Sequence, residues 1–277
     1  MTQRDTMALL YLWDRRTVFV DRLDAPIRLA QAAANLTVAV GGTMQVCLPK
    51  ESVSFECSSV LLPAGQRVEV DTGDAVVMSC YLDPLGEDYS ALCGRTSQQY
   101  GRVGVHLDDE PNLQALCELI REPEVSADEA YRMLDVIIGT VPESAAVDER
   151  MRRILELIKQ EVEENTPAET LAAQVGLSVP RLMQLFKQQV GVPIRRYRQW
   201  HRLFVTATGV SRGLSLTDAA LAAGFSDSSH FHHAFYNILG MKPSAILSRW
   251  PDIRLYAPAS AEQDVSTGNS LNRNTGI

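Results

Sequence analysis

The chain has 277 residues, of which 45% are apolar and 22% charged, and its formal net charge is −8. This is the composition of a folded globular protein with room for two domains, and it excludes a disordered chain. No run approaches the roughly 20 apolar residues of a membrane span, and the opening MTQRDTMALLYLWDRR has no basic region followed by an apolar one, so the expected location is cytoplasmic, with no membrane partner.

The first hundred residues read as β structure. In LTVAVGGTMQVCL (36–48), Leu36, Val38 and Val40 alternate, followed by Met44, Val46 and Leu48. Gly41-Gly42 between them supplies the positive-φ positions of a two-residue hairpin turn. Further short strands break at Pro63-Ala64-Gly65 and Thr72-Gly73-Asp74. This spacing predicts a barrel or sandwich. From about 108 the period becomes helical, with Leu113, Leu116, Cys117 and Ile120, then Ala130, Leu134 and Ile137. Two such helices cover the open side of a small β unit or pair with a second subunit. VPESAAVD (141–148) reads as a linker, 149–250 as helical, and the polar, aperiodic 251–277 as a disordered tail.

The five cysteines (Cys47, Cys57, Cys80, Cys93, Cys117) are scattered and lack CxxC spacing. Unpaired thiols are the expected state in a reducing compartment. Charge divides the chain in two. Residues 1–146 hold 11 Lys and Arg against 22 Asp and Glu, while 147–250 hold 13 against 9. Within 165–213 the balance is seven basic residues to one acidic residue. Any polyanionic partner therefore belongs to the second part.

That part contains a repeat. LAAQVGLSVPRLMQLFKQQVG (171–191) and ALAAGFSDSSHFHHAFYNILG (220–240) share an alanine (Ala172, Ala220), a turn glycine (Gly176, Gly224) and a residue suited to cap a helix (Ser178, Asp227). They also share an apolar stripe (Leu182 and Phe186; Phe231 and Phe235) and a closing glycine (Gly191, Gly240). A short helix, a sharp turn and a capped second helix make a helix-turn-helix. One copy is an ordinary helical hairpin, whereas two in a basic segment point to double-stranded DNA.

The motif S-x3-L-x3-F-K-x3-G-x-P-x3-Y (178–197), with Arg202 and A-x4-G-F-S-D-S-S-H-F-x3-F-x4-G-x-x-P-S (219–244), resembles the DNA-binding domain of the AraC/XylS family of bacterial transcription regulators. The resemblance implies seven helices, with two helix-turn-helix units joined by a long helix at 193–210. VVMSCYLDPLGEDYSAL (76–92) and the Pro63-Ala64-Gly65 turn resemble, more weakly, the cupin-like sensor domains of that family. Such sensors often carry a His-rich strand where this chain has PIRLAQAAANL (26–36), so an effector site there would be altered or lost. The implied fold class is α+β. A cupin-like barrel or sandwich with appended helices occupies 1–140, and an all-α domain with two helix-turn-helix motifs occupies 149–250.

The recognition helices are expected at about 179–190 and 228–239. On the first, Leu182, Leu185 and Phe186 face inward, leaving Pro180, Arg181, Met183 and Gln184 for bases. Arg181 suits guanine and Gln184 suits adenine. On the second, Ser228, Ser229, His230, His232 and His233 face outward, and many relatives carry Arg where His233 stands. The expected phosphate contacts are Ser178, Lys187, Arg195, Arg196, Arg198 and Lys242, which position the protein without specifying sequence. Arg202 either pairs with an acid or touches DNA, and Gly209 marks a point where the long helix frays.

Other chemistries find little support. His230 and His233, at i and i+3, lack a neighbouring Cys or carboxylate and make a poor zinc site. A metal-dependent cupin enzyme needs several His, and His106 is the only one before residue 147. No catalytic residues, metal or cofactor are therefore expected. The partners expected are promoter DNA, a second copy of the chain through about 108–140, RNA polymerase and an unidentified small effector. The regulator would most naturally be an activator, and a purely dimerising or protein-binding first domain is the alternative.

Overall fold

The computed structural model describes residues 8–13, 15–23, 26–83, 85–122, 124–139, 148–241, 243 and 253–256. The first half is two facing β-sheets. Strands β1 (Ala8–Leu12), β2 (Arg16–Arg22), β4 (Ala34–Val40), β7 (Ser59–Leu62), β9 (Val76–Leu82), β10 (Thr96–Tyr100), β11 (Val103–Leu107) and β12 (Ile253–Tyr256) form one, in the order β10-β11-β7-β4-β9-β2-β1-β12. The second runs β3-β8-β5-β6, from β3 (Ile27–Leu29), β5 (Met44–Leu48), β6 (Val53–Cys57) and β8 (Val68–Asp71).

Alternation along each strand assigns its two faces. Leu9, Val18, Val20, Leu36, Val38, Met78 and Cys80 point out of the large sheet against α2 (Glu110–Leu119) and α3 (Ala127–Ile138). These helices bury Leu113, Leu116, Cys117, Ala130, Leu134 and Ile138 there, so covering the sheet is where their apolar stripes go. The opposite face meets the small sheet through Val60, Leu62, Val103 and Val105 against Met44, Val46, Leu48, Val68 and Val70.

Three expectations need correction. The strands around Gly41-Gly42 are not a hairpin, because β4 pairs with β7 and β9 while β5 pairs with β6 and β8. The turn carries the chain from one sheet to the other. Alternation identifies a strand but not its partner. A helix, α1 (Glu87–Cys93), follows β9 within the segment read as β. The tail is not wholly aperiodic either: Ile253–Tyr256 form β12, parallel to β1, with Tyr256 stacked on Tyr11 at 4.6 Å. Four residues carry too little period to announce a strand, and the partner edge supplies what the local sequence lacks. The linker expected at 141–148 lies outside the described residues except for Asp148, and 257–277 lie wholly outside them.

The second half runs through α4 (Glu149–Gln160), α5 (Ala168–Gln174), α6 (Val179–Val190), α7 (Ile194–Ser211), α8 (Leu216–Ala222) and α9 (Ser228–Leu239). Gly209 does not fray α7. The helix continues to Ser211, and a Cβ at 209 would lie 3.0 Å from that of Ala219, so the glycine admits α8.

One ion pair ties β2 to the outer helices. The buried Arg16 guanidinium donates to both Asp88 oxygens at 2.7 and 2.8 Å and to Asp135 at 2.7 Å, with the Tyr131 ring 5.0 Å away. Burial works against its charge, but bonding to Asp88 and then Asp135 outweighs it and holds the pKa above the ordinary arginine value. Removing Asp88 leaves the buried Arg16 with only the largely exposed Asp135 as an acid partner. Asp88→Ala should therefore cost about 3 kcal/mol or more in urea unfolding, and a loss within error of zero would show that the pair does not hold α1 to the sheet.

Candidate nucleic-acid interface and the pocket behind it

Both units fold as the repeat requires. Leu182, Leu185 and Phe186 of α6 are buried with Leu171 and Ala172 of α5. Phe231, Ala234, Phe235 and Ile238 of α9 are buried with Ala220 and Ala223. Gly191 and Gly240 close the two helices at φ +88° and +72°, left-handed positions that cost a residue with a Cβ about 1–2 kcal/mol.

The caps differ. Asp227 accepts the His230 amide at 2.8 Å, whereas Ser178 takes the cap position of α6 without a side-chain bond. The Ser178 hydroxyl and the first amides of α6 are therefore free to meet an anion.

Pro180, Arg181, Met183, Gln184 and Lys187 are all exposed on α6. Arg181 donates to Gln184 Oε1 at 3.0 Å, which presents the Gln184 amide nitrogen outward. On α9, Ser228, Ser229, His232 and His233 are exposed, and Tyr236 and Asn237 extend the same surface. His230 is turned partly inward, its ring edge-on to Phe225 at 5.3 Å and bonded to Ser226. His232 Nδ1 lies 2.6 Å from the Ser228 carbonyl and so carries its hydrogen there, leaving Nε2 as an outward acceptor.

The predicted phosphate contacts separate. Arg195 is exposed, as is Lys187. Arg196 is instead held by the carbonyls of Ala30 and Asn237, and Arg198 by the Thr166 carbonyl at 2.6 Å. Burial lowers the pKa of both below the ordinary arginine value. Arg202 pairs with no acid: it is buried and donates to the Val162 carbonyl at 3.1 Å. Lys242 lies outside the described residues. Among the described residues no group of three metal-capable side chains gathers, and His230 and His233 do not converge on a third ligand.

Arg196 belongs to a wider contact between the halves. Trp200 packs on Tyr81 with centroids 4.9 Å apart, Lys159 reaches Asp83 at 2.9 Å, and Ala32 and Leu85 join the first unit's core. Both recognition helices end against the sheets. A Cβ at Gly191 would lie 2.8 Å from the Ala64 carbonyl, and one at Gly240 would collide with the Arg28 carbonyl.

Within this contact is a pocket of about 130 Å³. Its floor is the inner face of the large sheet: Leu10 and Leu12, Thr17 and Phe19, and Ser79 and Tyr81. Its roof is Trp200, Leu203, Phe204 and Ala207 of α7 with Phe235, Leu239 and Met241 in and just beyond α9. No short sequence pattern could have revealed it, because it is assembled from distant strands and helices. The five cysteines are free, and burial raises the thiols of Cys57, Cys80 and Cys117 to about 12, which keeps them protonated.

These features are those of a DNA-binding regulator of transcription. Residues 171–249 match the model of the helix-turn-helix domain family. Among solved structures, ToxT from Vibrio cholerae is 15% identical, with a TM-score of 0.57 over 85% of this chain and 99% of that one. An apo form of a ToxT variant from strain SCE256 gives a TM-score of 0.59 at 15% identity, over 86% and 98%. Wild-type ToxT bound to an unsaturated fatty acid gives 0.56 at 14%, over 89% and 97%. The fold over 85% of the chain is thus shared with ToxT, and 171–249 form a helix-turn-helix domain.

Bonding to the His230 amide, then to Ser226, holds the Asp227 carboxylate below its usual pKa. A depressed pKa stabilises the fold above the unfolded-state value of about 3.9, and the gain disappears as pH falls through the folded value. Acid should therefore release the α9 cap only below the ordinary aspartate range, and Asp227→Ala should release it at every pH. Amide exchange at His230 checks both, and unchanged protection in the variant would mean that the cap does not hold the helix start.

Proposed function

We propose that the protein controls transcription, in the sense of activation, by binding promoter DNA as a homodimer with α6 and α9 in successive major-groove segments. The observation that carries this is the duplicated unit: its buried residues repeat while its exposed residues differ, as two base-reading surfaces on one scaffold require. The α7 helix, about 27 Å long at 1.5 Å per residue, sets a spacing close to the roughly 34 Å helical turn of DNA. Pro180, Arg181, Met183 and Gln184 read bases from α6, and Ser228, Ser229, His232 and His233 read them from α9, with His230 at its margin. Ser178, Lys187 and Arg195 hold phosphates, and Arg198 and Lys242 lie close enough in sequence to join them. Arg196 joins only once the Ala30 carbonyl releases it, which makes the domain contact a brake on DNA binding.

The first domain regulates and does not catalyse. The pocket between the sheet and α7 and α9 is the effector site in this reading, since its occupant would touch both halves at once. The fatty acid in a ToxT structure of the same fold supports the existence of an effector. RNA polymerase is the downstream partner, and the setting is the bacterial cytoplasm at the nucleoid.

Gel-shift affinities on the cognate promoter test the base-reading face. Arg181→Ala and Gln184→Ala should each weaken binding by about 5- to 150-fold, the equivalent of about 1–3 kcal/mol per lost base contact. Two variants that bind like the parent would remove α6 from the interface.

Dimerisation is assigned to the outer faces of α2 and α3, where Leu119 and Val136 are 43% and 81% exposed. Light scattering on the full chain should show a dimer that becomes a monomer in a Leu119→Glu, Val136→Glu double variant. A double variant that stays dimeric would move the interface elsewhere.

A further inference from the structure

From the chemistry of its walls, we infer that the pocket between the large sheet and helices α7 and α9 takes an uncharged, single-ring ligand carrying one hydrogen-bond acceptor. The inference rests on the reading of this pocket as the effector site, and it names the ligand class.

Size sets the first limit. A dry cavity of about 150 Å³ lined by aliphatic and aromatic groups holds benzene, and this pocket has about 130 Å³. One ring with a short substituent fills it, and a long acyl chain does not. The lining also favours a ring, because Phe19, Tyr81, Trp200, Phe204 and Phe235 supply five aromatic side chains.

Charge sets the second. Among the described residues the lining has no Lys, Arg, His, Asp or Glu; its polar side-chain groups are the hydroxyls of Thr17, Ser79 and Tyr81 and the indole N–H of Trp200. Burial raises the Tyr81 phenol above its ordinary pKa, so it too is neutral. A carboxylate placed here would lose its water and find no cation in return, a penalty of several kcal/mol.

The acceptor follows from an unused donor beside the floor. Asn35 stands directly across from Tyr81, and Thr37 across from Ser79, so all four point to the same face. Thr37 donates to Asn35 Oδ1 at 2.6 Å and so has no hydrogen left for Ser79, whose hydroxyl is 3.4 Å away. Asn35 is 1% exposed, and its Nδ2 has no partner. A buried amide donor left unmade is costly. Ser79 is therefore the donor of that long contact to Thr37, and a carbonyl or hydroxyl oxygen entering beside Ser79 draws its hydrogen away and approaches the Asn35 amide. A further concavity, between the 41–43 and 72–75 turns, mixes Arg22 and Arg121 with Asp71, Asp74 and Glu118 and selects no such ligand.

Calorimetry on the full-length protein at pH 7.5 tests the inference with three probes of similar shape: acetophenone (neutral, with an acceptor), ethylbenzene (neutral, without one) and benzoate (anionic). Acetophenone should bind at least tenfold more tightly than either of the others. Ser79→Ala should bring acetophenone down to the ethylbenzene level while leaving ethylbenzene unchanged. Ala207→Phe, checked for native circular dichroism, should abolish binding of both neutral probes. Preferred binding of benzoate, equal binding of all three, binding that survives Ala207→Phe, or no binding at all overturns the inference. Promoter affinity without any probe is read in parallel, so failed DNA binding is recognised separately as failure of the regulator reading.

Discussion

The molecule is organised by a mismatch between its two sheets. The large one has eight strands and the small one four, so part of the large sheet's inner face has no β layer to cover it. The uncovered part, on β1, β2 and β9, carries Leu10, Leu12, Phe19 and Tyr81. Apolar surface of this kind is stabilised by about 25 cal/mol per Å² when removed from water. Here α7 and α9 of the DNA-binding half cover it, with Trp200, Leu203, Phe204, Phe235 and Leu239. The DNA-binding domain thereby completes the core of the sheet half.

This arrangement gives two side chains competing duties. Phe235 holds the second recognition helix together from inside and also forms part of the pocket roof. Arg196 lies on the basic helix α7 yet is spent on the Ala30 carbonyl. Whatever alters the fit of α9 on the sheet alters both the recognition helix and the supply of free cations. The pocket and the α9 helix thus share one contact, without any relay of residues between them.

Much of this was legible in the sequence because the helical half is locally encoded. The boundaries expected for the recognition helices, 179–190 and 228–239, are those of α6 and α9. Buried Leu182, Phe186, Phe231 and Phe235 follow from spacing alone. What escaped was long-range. The Gly41-Gly42 turn has hairpin chemistry, but pairing partners chosen elsewhere in the chain make it a crossing between sheets. Arg202 has the composition of a DNA contact, yet the fold places it over the Val162 carbonyl, beside Gly224, where a Cβ would lie 3.1 Å from its Nε. The pocket could not be read at all, since its walls come from residues separated by more than two hundred positions.

The last strand extends the same logic. Residues 253–256 lie beyond both helix-turn-helix units and return to the sensor, where β12 continues the sheet past β1. Tyr256 extends an aromatic stack through Tyr11 to Trp13, with centroid spacings of 4.6 and 4.9 Å. An edge strand offers unpaired amides and carbonyls, and β1 would be such an edge without this cover. The DNA-binding half is therefore held by the Asp83–Lys159 pair at its first helix, by Arg196 on the Ala30 carbonyl, by Ala32 and Leu85 in the core of its first unit, by the floor of the pocket under α7 and α9, and by β12 beyond its last described helix. Four ladder positions and one ring stack are a modest hold.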